Sequence, residues 1–293
     1  MLIDGVFSGG GMKGYALIGA YQVLEKQGFT MKNTAGTSAG SIIAALIAAG
    51  YTGKEMEDLF LPLDGKSLLD ERKGTGLPFV KWLLLYWRLG LYKGDALEAW
   101  IAKLLAAKGI LTFADLPKGS LRIIASDITN GKIVVLPDEL DNYGIHGLLF
   151  PVAKAVRMSC SIPYFFEPIN IGTRKKRIYM VDGGVLSNFP MWLFDHEEGK
   201  KTRPVIGIRL NGNKEEMPPR DIRDAIGMFR SLFESMKDAH DNRYISRRHE
   251  KNIIFIPSDH IPSTEFNLSL DDRIKLIDLG RVSANSFLAA WSY

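Results

Sequence analysis

Apolar positions along the chain change their spacing several times, and the changes predict alternating strands and helices. Residues 2–8 form a short apolar run typical of a strand, and a glycine-rich turn leads from it into a helix ending near Gly28. A second extended segment at 30–35 meets the sequence GTSAG, and SIIAALIAAG then predicts a helix that ends at Gly50. This strand–turn–helix order, repeated twice, predicts a parallel sheet with a right-handed crossover.

The alternation continues through the rest of the chain. Residues 54–110 are predicted to be largely helical, and LRIIASD and KIVVLP to form a hairpin around Asn130-Gly131. VAKAVRMSCSI predicts a helix stopped by Pro163, and RIYMVDGG, RPVIGIRL and NIIFIP predict three more strands. DIRDAIGMFRSLFESMKDAHDNRYISR and SLDDRIKLIDLGRVSANSFLAAW predict amphipathic helices. Because no repeat or linker interrupts this pattern, we expect one α/β domain over 1–293.

Composition narrows the class of protein. Apolar residues make up 46% of the chain, charged residues 24%, and the net charge of +4 is too mild to predict a nucleic-acid partner. The single cysteine, Cys160, excludes an internal disulfide and favours a reducing compartment. MLIDGVF lacks the pattern of a signal peptide, and the apolar stretch at 77–92 is too short and too charged to span a bilayer. We therefore expect a cytoplasmic protein.

The sharpest chemical motif is GTSAG, residues 36–40, which has the form G-x-S-x-G. Its position between a strand and a helix is typical of a nucleophile elbow, in which a strained backbone turns the Ser38 hydroxyl outward. The following helix would direct its positive N-terminal end at that hydroxyl. The alternative is an ordinary turn in which Ser38 caps the helix.

The sequence GGGMKG, residues 9–14, fits G-x-G-x-x-G and raises the alternative of a dinucleotide site. Such a site needs an acidic residue at the end of the second strand, where this chain has N-T-A, and no Walker loop spacing is present. In a parallel pair of strands, both glycine turns lie at the same sheet edge. The backbone N–H groups of Gly10, Gly11 and Met12 are then predicted to form an oxyanion hole facing Ser38.

A nucleophilic serine needs a base. Among the five histidines, His260 follows the strand NIIFIP and is a candidate for a triad. The stronger candidate is Asp182 in YMVDGG, because it ends an apolar strand and a carboxylate in hydrogen-bond reach can accept the serine proton. The alternative interpretation of Asp182 is a turn former before glycine.

These motifs together resemble the patatin-like phospholipase family. GGGMKG, GTSAG and DGG occur in the family's order, and SCSIPYFFEP (159–168) and DGGVLSNFP (182–190) continue the likeness, which runs over about 3–210. The remaining residues, 211–293, are expected to complete the same domain with helices and a strand.

The resemblance implies a three-layer α/β fold with a mostly parallel sheet between helices. It also implies a catalytic dyad of Ser38 and Asp182, an oxyanion hole at Gly9, Gly10, Gly11 and Met12, and neither cofactor nor metal. The expected activity is hydrolysis of a lipid ester through an acyl-enzyme on Ser38, with the cytoplasmic protein in peripheral contact with a membrane or micelle surface. Transacylation on the same scaffold and non-catalytic lipid binding are the alternatives.

Three further sequence features each allow two interpretations. Lys13 either holds the phosphate of a lipid headgroup or makes a structural ion pair. The segment 79–94 combines Trp and Leu with basic residues, so it is either a core helix or a lid or patch at a lipid surface. The basic turn at 172–177 is either a solvated loop or an attraction for anionic membranes.

Overall fold

The computed structural model describes residues 1–70, 85–195, 203–210, 250–258 and 267–292, together with separate positions between 222 and 236. Four of the five histidines, including His260, lie outside these ranges. Residues 71–84, which include the first part of the segment 79–94, and most of the helix predicted from 221 onward also lie outside them. None of the described helices combines the length and the apolar run that crossing a bilayer requires.

Seven of the ten described strands follow the predicted apolar runs, whereas three short strands were not predicted. The described strands are β1 (Leu2–Phe7), β2 (Thr30–Thr37), β3 (Gly90–Tyr92), β4 (Leu121–Asp127), β5 (Lys132–Leu136), β6 (Tyr164–Phe166), β7 (Ile169–Asn170), β8 (Tyr179–Asp182), β9 (Val205–Leu210) and β10 (Ile253–Ile256). The strands that were not predicted are β3, β6 and β7. The α-helices are α1 (Tyr15–Lys26), α2 (Ala39–Ala48), α3 (Gly53–Phe60), α4 (Asp95–Ala107), α5 (Val152–Ser159) and α6 (Leu270–Ala290). Short 3-10 helices include Gly11–Gly14 and Gly183–Val185.

The central sheet has the strand order β10-β9-β1-β2-β4-β8-β7, with β5 also paired to β4. The four pairs from β10 to β4 are parallel, and the pairs that β4 makes with β5 and β8, like that of β7 with β8, are antiparallel. The prediction of an α/β fold with a mostly parallel sheet flanked by helices is therefore confirmed. A separate parallel ribbon joins β3 and β6.

The pairing of β4 decides which chain segments meet at the sheet edge. β2 pairs with the first half of β4, where Thr37 lies opposite Ile124, and β8 pairs with the second half, where Asp182 lies opposite Ala125. β5 pairs along one edge of β4, from Ile123 to Asp127. β2 and β8 therefore both pair along the opposite edge of β4. Strands β2 and β8 therefore end against each other, one residue apart along β4.

Local predictions hold with two refinements. The hairpin of β4 and β5 closes through four residues rather than two, since Asp127 pairs with Lys132, and Gly131 supplies a positive φ of 66°. The region 54–110, predicted to be largely helical, contains the short strand β3 as well.

Two described elements beyond residue 210, β10 and α6, pack onto the core that the motifs identify. β10 extends the sheet through β9, and α6 crosses α1 so closely that a Cβ at Gly280 would overlap the carbonyl oxygen of Ala16. A Cβ at Gly19 would likewise overlap the carbonyl oxygen of Ile277. These contacts support the prediction of a single domain.

Candidate active site

Ser38 is the single residue between β2 and α2, and its backbone is strained. Its φ of 52° and ψ of −126° are unusual for a residue with a side chain. The flanking glycines allow this turn, because a Cβ at Gly36 would overlap the carbonyl of Gly40, and a Cβ at Gly40 would overlap the carbonyl of Phe7. The structure thus places Ser38 in the strand–turn–helix context that the G-x-S-x-G pattern predicts.

Asp182 contacts Ser38 directly. The Ser38 Oγ donates a hydrogen bond to Asp182 Oδ2 at 2.7 Å, and the backbone N–H of Gly184 donates to the other carboxylate oxygen at 2.7 Å. Both side chains are buried, with 6% of Ser38 and 1% of Asp182 exposed. No third residue separates the hydroxyl from the carboxylate, so the contact has the form of a dyad.

Of the five histidines that could serve as a triad base, only His146 lies within the described residues. His146 is exposed before the 3-10 helix Gly147–Leu149. His260 lies outside the described residues, so its role as a triad base stays a prediction.

The end of helix α5 holds the backbones of both Ser38 and Asp182. Ser159 Oγ accepts the N–H of Ser38 at 2.8 Å and donates to the carbonyl of Ile124 at 2.6 Å. Two residues later, the carbonyl oxygen of Ser161 accepts the N–H of Asp182 at 2.8 Å. In the sequence, SCSIPYFFEP contributed only to the family resemblance, and this role of Ser159 was not predicted. The only local signal was a polar residue at the end of an apolar helix.

The glycine loop lies beside Ser38, as predicted from the parallel pairing of β1 and β2. A Cβ at Gly9 would lie 3.2 Å from Ser38 Cβ. The N–H of Gly9 donates to the carbonyl of Asn188 at 3.0 Å, whereas the N–H groups of Gly10, Gly11 and Met12 have no acceptor among the described residues. Helix starts leave such N–H groups without partners, so these three are available to an oxyanion.

Lys13, the basic residue of this loop, is buried, with 6% of it exposed. The described lining of the cavity beside Ser38 does not include Lys13. Its predicted contact with a lipid headgroup stays a prediction.

An apolar cavity opens beside Ser38 and extends along α2. Its wall is almost wholly hydrocarbon and aromatic, from Ile42, Ile43, Phe60, Leu97, Trp100 and Phe166 among others. Phe60 and Trp100 pack edge to face with ring centroids 5.1 Å apart. A cavity of this composition suits an apolar chain rather than a polar group.

Cys160 lines the same cavity, so its thiol has to be considered as a second nucleophile. Burial, together with the negative charge of Asp182, raises the pKa of the Cys160 thiol to about 12. The thiol is therefore protonated at neutral pH and is a poor nucleophile. Ser38 is the better nucleophile at this site.

The family of the chain follows from comparison with known proteins. The family model described as patatin-like phospholipase matches residues 5–195, well over half of the chain. The chain belongs to the patatin-like phospholipase family. The Bacillus subtilis protein YqhO is 57% identical over 294 residues, which cover 100% of both chains.

Two more distant matches are a curated relative and a solved structure. The triacylglycerol lipase ptl3 of Schizosaccharomyces pombe is 26% identical over 191 residues, 64% of this chain and 38% of ptl3. VipD from Legionella pneumophila shares the fold, with a TM-score of 0.60 at 17% identity over 98% of this chain and 67% of VipD.

A metal centre is the remaining kind of site to consider. Within the described ranges, no three His, Cys, Asp or Glu side chains come together as metal ligands would. The expectation of a site without metal or cofactor stays a prediction.

Proposed function

We propose that this protein hydrolyses carboxyl esters of phospholipids or related lipids through an acyl-enzyme on Ser38. The observation that carries the proposal is the 2.7 Å hydrogen bond from Ser38 Oγ to Asp182 Oδ2 at a strained elbow beside an apolar cavity. The family membership and the name of the yeast relative, a triacylglycerol lipase, support a lipid ester as substrate.

The first step is transfer of the acyl group to the enzyme. Ser38 Oγ attacks the ester carbonyl carbon while Asp182 Oδ2 takes the hydroxyl proton. The N–H groups of Gly10, Gly11 and Met12 stabilise the negative charge that develops on the carbonyl oxygen. Gly9 shapes the loop, since its own N–H is already bonded to Asn188. The tetrahedral intermediate collapses, and Asp182 returns the proton to the departing alkoxide oxygen.

The second step releases the fatty acid. A water molecule takes the place of the alcohol, and Asp182 accepts one of its protons as the water oxygen attacks the acyl carbon. The proton passes to Ser38 Oγ when the acyl–oxygen bond breaks. The apolar cavity along α2 holds the acyl chain throughout, which positions the ester carbon against Ser38.

The proposal is tested on a membrane lipid extract. Purified protein incubated with vesicles of the extract is expected to release free fatty acid and the matching lysolipid or alcohol, measured by mass spectrometry. Protein with Ser38→Ala is the control for contaminating lipases. Acyl transfer to an added alcohol in place of release would favour the transacylase alternative, and an unchanged lipid profile would favour non-catalytic lipid binding.

Ser159→Ala is expected to lower kcat about 10- to 100-fold for a soluble ester, with little change in KM. Loss of the Ser159 hydroxyl leaves the buried N–H of Ser38 without an acceptor, which costs about 1–3 kcal/mol and loosens the elbow. The measurement is steady-state kinetics together with the thermal midpoint.

The matched control for Ser159→Ala is Thr34→Ala. Thr34 Oγ1 is also buried and donates to the carbonyl of Ala44, but it lies in the middle of β2, before the turn that carries Ser38. This control is expected to lower the midpoint and leave kcat unchanged. Equal effects of both variants on kcat would show that Ser159 acts only through stability.

A further inference from the structure

Four large apolar side chains are exposed in, or just before, the β3–β6 ribbon. Tyr86 is 77% exposed, Trp87 72%, Leu89 37% and Tyr164 52%. We call these four residues the mouth patch. Tyr86 and Trp87 pack edge to face with ring centroids 5.3 Å apart, so they present one aromatic surface.

The mouth patch is connected to the cavity wall through the β3–β6 ribbon. Leu89 directly precedes Gly90, which pairs with Tyr164 in the β3–β6 ribbon. Tyr164 lies between Ile162 and Phe166, and both of these neighbours line the cavity beside Ser38. Tyr164 of the mouth patch is thus placed next to the part of the wall formed by Ile162 and Phe166.

The backbone of the mouth patch is strained in two places. Outside glycine, positive φ occurs among the described residues at Ser38, Leu89 and Tyr164, the last two with φ of 62°. A positive φ outside glycine is unfavourable and persists only where the surrounding structure enforces it. Two of the three strained residues thus hold large apolar side chains in solvent, and the third is the proposed nucleophile.

A buried arginine makes hydrogen bonds to the chain just after each strand of the β3–β6 ribbon. Arg157 on α5 is fully enclosed, its Nε donates to the carbonyl of Gly94 at 2.9 Å, and Nη2 donates to the carbonyl of Glu167 at 2.9 Å. Its guanidinium also lies over the ring of Phe166, 5.0 Å from the centroid. The mouth patch is therefore held by the same helix that positions Ser38 and Asp182.

We propose that the mouth patch docks on the surface of an anionic phospholipid bilayer and aligns the cavity with the lipid from which the acyl chain enters. Trp and Tyr favour the boundary between headgroups and acyl chains, where one end of the ring is apolar and the other wet. The exposed Arg88, between Trp87 and Leu89 in the chain, and the net charge of +4 favour anionic headgroups. This inference rests on the proposed hydrolase function, because it assigns the route of that substrate.

The test measures binding without turnover. Protein with Ser38→Ala is sedimented with vesicles of phosphatidylcholine alone and of phosphatidylcholine mixed with phosphatidylglycerol. We expect binding to the mixed vesicles, weaker binding to phosphatidylcholine, and at least about a tenfold loss when Tyr86→Ala and Trp87→Ala are added. The matched control adds Leu111→Ala and Val282→Ala, two exposed apolar residues outside the patch (63% and 65% exposed), and is expected to bind within about twofold of the parent.

A second variant guards against loss of folding. Tyr164→Gly removes an exposed ring at a positive φ that glycine adopts without strain, so the thermal midpoint should not fall while vesicle binding does. Equal binding by patch and control variants, or no binding by the parent, overturns the inference. So does self-association that disappears with the patch side chains while vesicle binding is unchanged, since the patch would then be a protein interface.

Failure of this inference and failure of the proposed function are separable. Vesicle binding is measured on Ser38→Ala protein and needs no catalysis. Hydrolysis of a soluble short-chain ester by the unmodified protein needs no bilayer. Absence of that hydrolysis would remove the proposed function and leave the vesicle result to decide the patch.

Discussion

Replacing Ser38 with alanine is expected to lower kcat for a soluble short-chain ester by at least about 10⁴-fold, to the level of background hydrolysis. The variant is expected to keep the fold, because alanine fits the space of serine and only the hydroxyl that donates to Asp182 is removed. The measurement is steady-state kinetics, with circular dichroism to confirm folding.

Ser120→Ala is the matched control for this loss. Ser120 is as buried as Ser38, at 6% exposure, and its Oγ has no hydrogen-bond partner among the described residues. It lies just before β4, next to Leu121, which pairs with Thr34 well before the end of β2. Its kcat should match that of the unmodified protein, and residual activity in Ser38→Ala above background would mean that another residue forms the acyl-enzyme.

Replacing Asp182 with asparagine is expected to lower kcat by about 10³- to 10⁴-fold. Asparagine keeps the shape of aspartate and can still accept the N–H of Gly184, but it cannot take a proton from Ser38 Oγ. The acid limb of the kcat–pH profile, where the base becomes protonated, should disappear with the carboxylate. Steady-state kinetics over a pH series measures both effects.

Asp127→Asn provides the comparison for Asp182→Asn. Asp127 also ends a strand and is fully buried, but it accepts hydrogen bonds from the N–H groups of Thr129 and Asn130 and from the Tyr143 hydroxyl. Its replacement should cost about 1–3 kcal/mol of unfolding free energy and leave kcat per folded molecule nearly unchanged. If both variants lost kcat in proportion to stability, Asp182 would be a structural residue rather than the base.

Local patterns were enough to predict the nucleophile elbow and its neighbour, the glycine loop. GTSAG lies between a strand and a helix, and parallel pairing of β1 with β2 brings the two glycine turns to one sheet edge. Both features depend on residues within the first 40 positions, where hydrophobic period and glycine placement determine the turns. The strained φ of Ser38 follows from the same turn.

The contacts of Asp182 depend on pairing that no local pattern specifies. Asp182 reaches Ser38 because β8 runs antiparallel to β4 and continues the edge that β2 leaves at Thr37. Ser159 is 121 positions from Ser38 and reaches it only because α5 packs on the end of β4. The sequence shows a carboxylate and a hydroxyl that could take these roles. The pairing register of β4 determines that Asp182 and Ser159 are the residues that contact Ser38.

The hydrogen bond from the Gly9 N–H to the carbonyl of Asn188 also depends on residues far apart in the sequence. The family resemblance placed Gly9 in the predicted oxyanion hole, whereas the pairing of β1 with β2 pointed to Gly10, Gly11 and Met12. In the fold, the segment after β8 passes close enough for the carbonyl of Asn188 to accept the N–H of Gly9. Gly10, Gly11 and Met12 keep their N–H groups available because they begin a 3-10 helix.

The central claim is that Ser38 is a nucleophile activated by Asp182, and the most direct measurement is covalent labelling. The unmodified protein, Ser38→Ala and Asp182→Asn are incubated with a fluorophosphonate, then weighed intact and mapped by peptide mass spectrometry. We predict one adduct on Ser38 in the unmodified protein, at least about 10³-fold slower labelling in Asp182→Asn, and none in Ser38→Ala. An unlabelled Ser38 in protein that hydrolyses esters, or equal labelling rates with and without the Asp182 carboxylate, would contradict the claim.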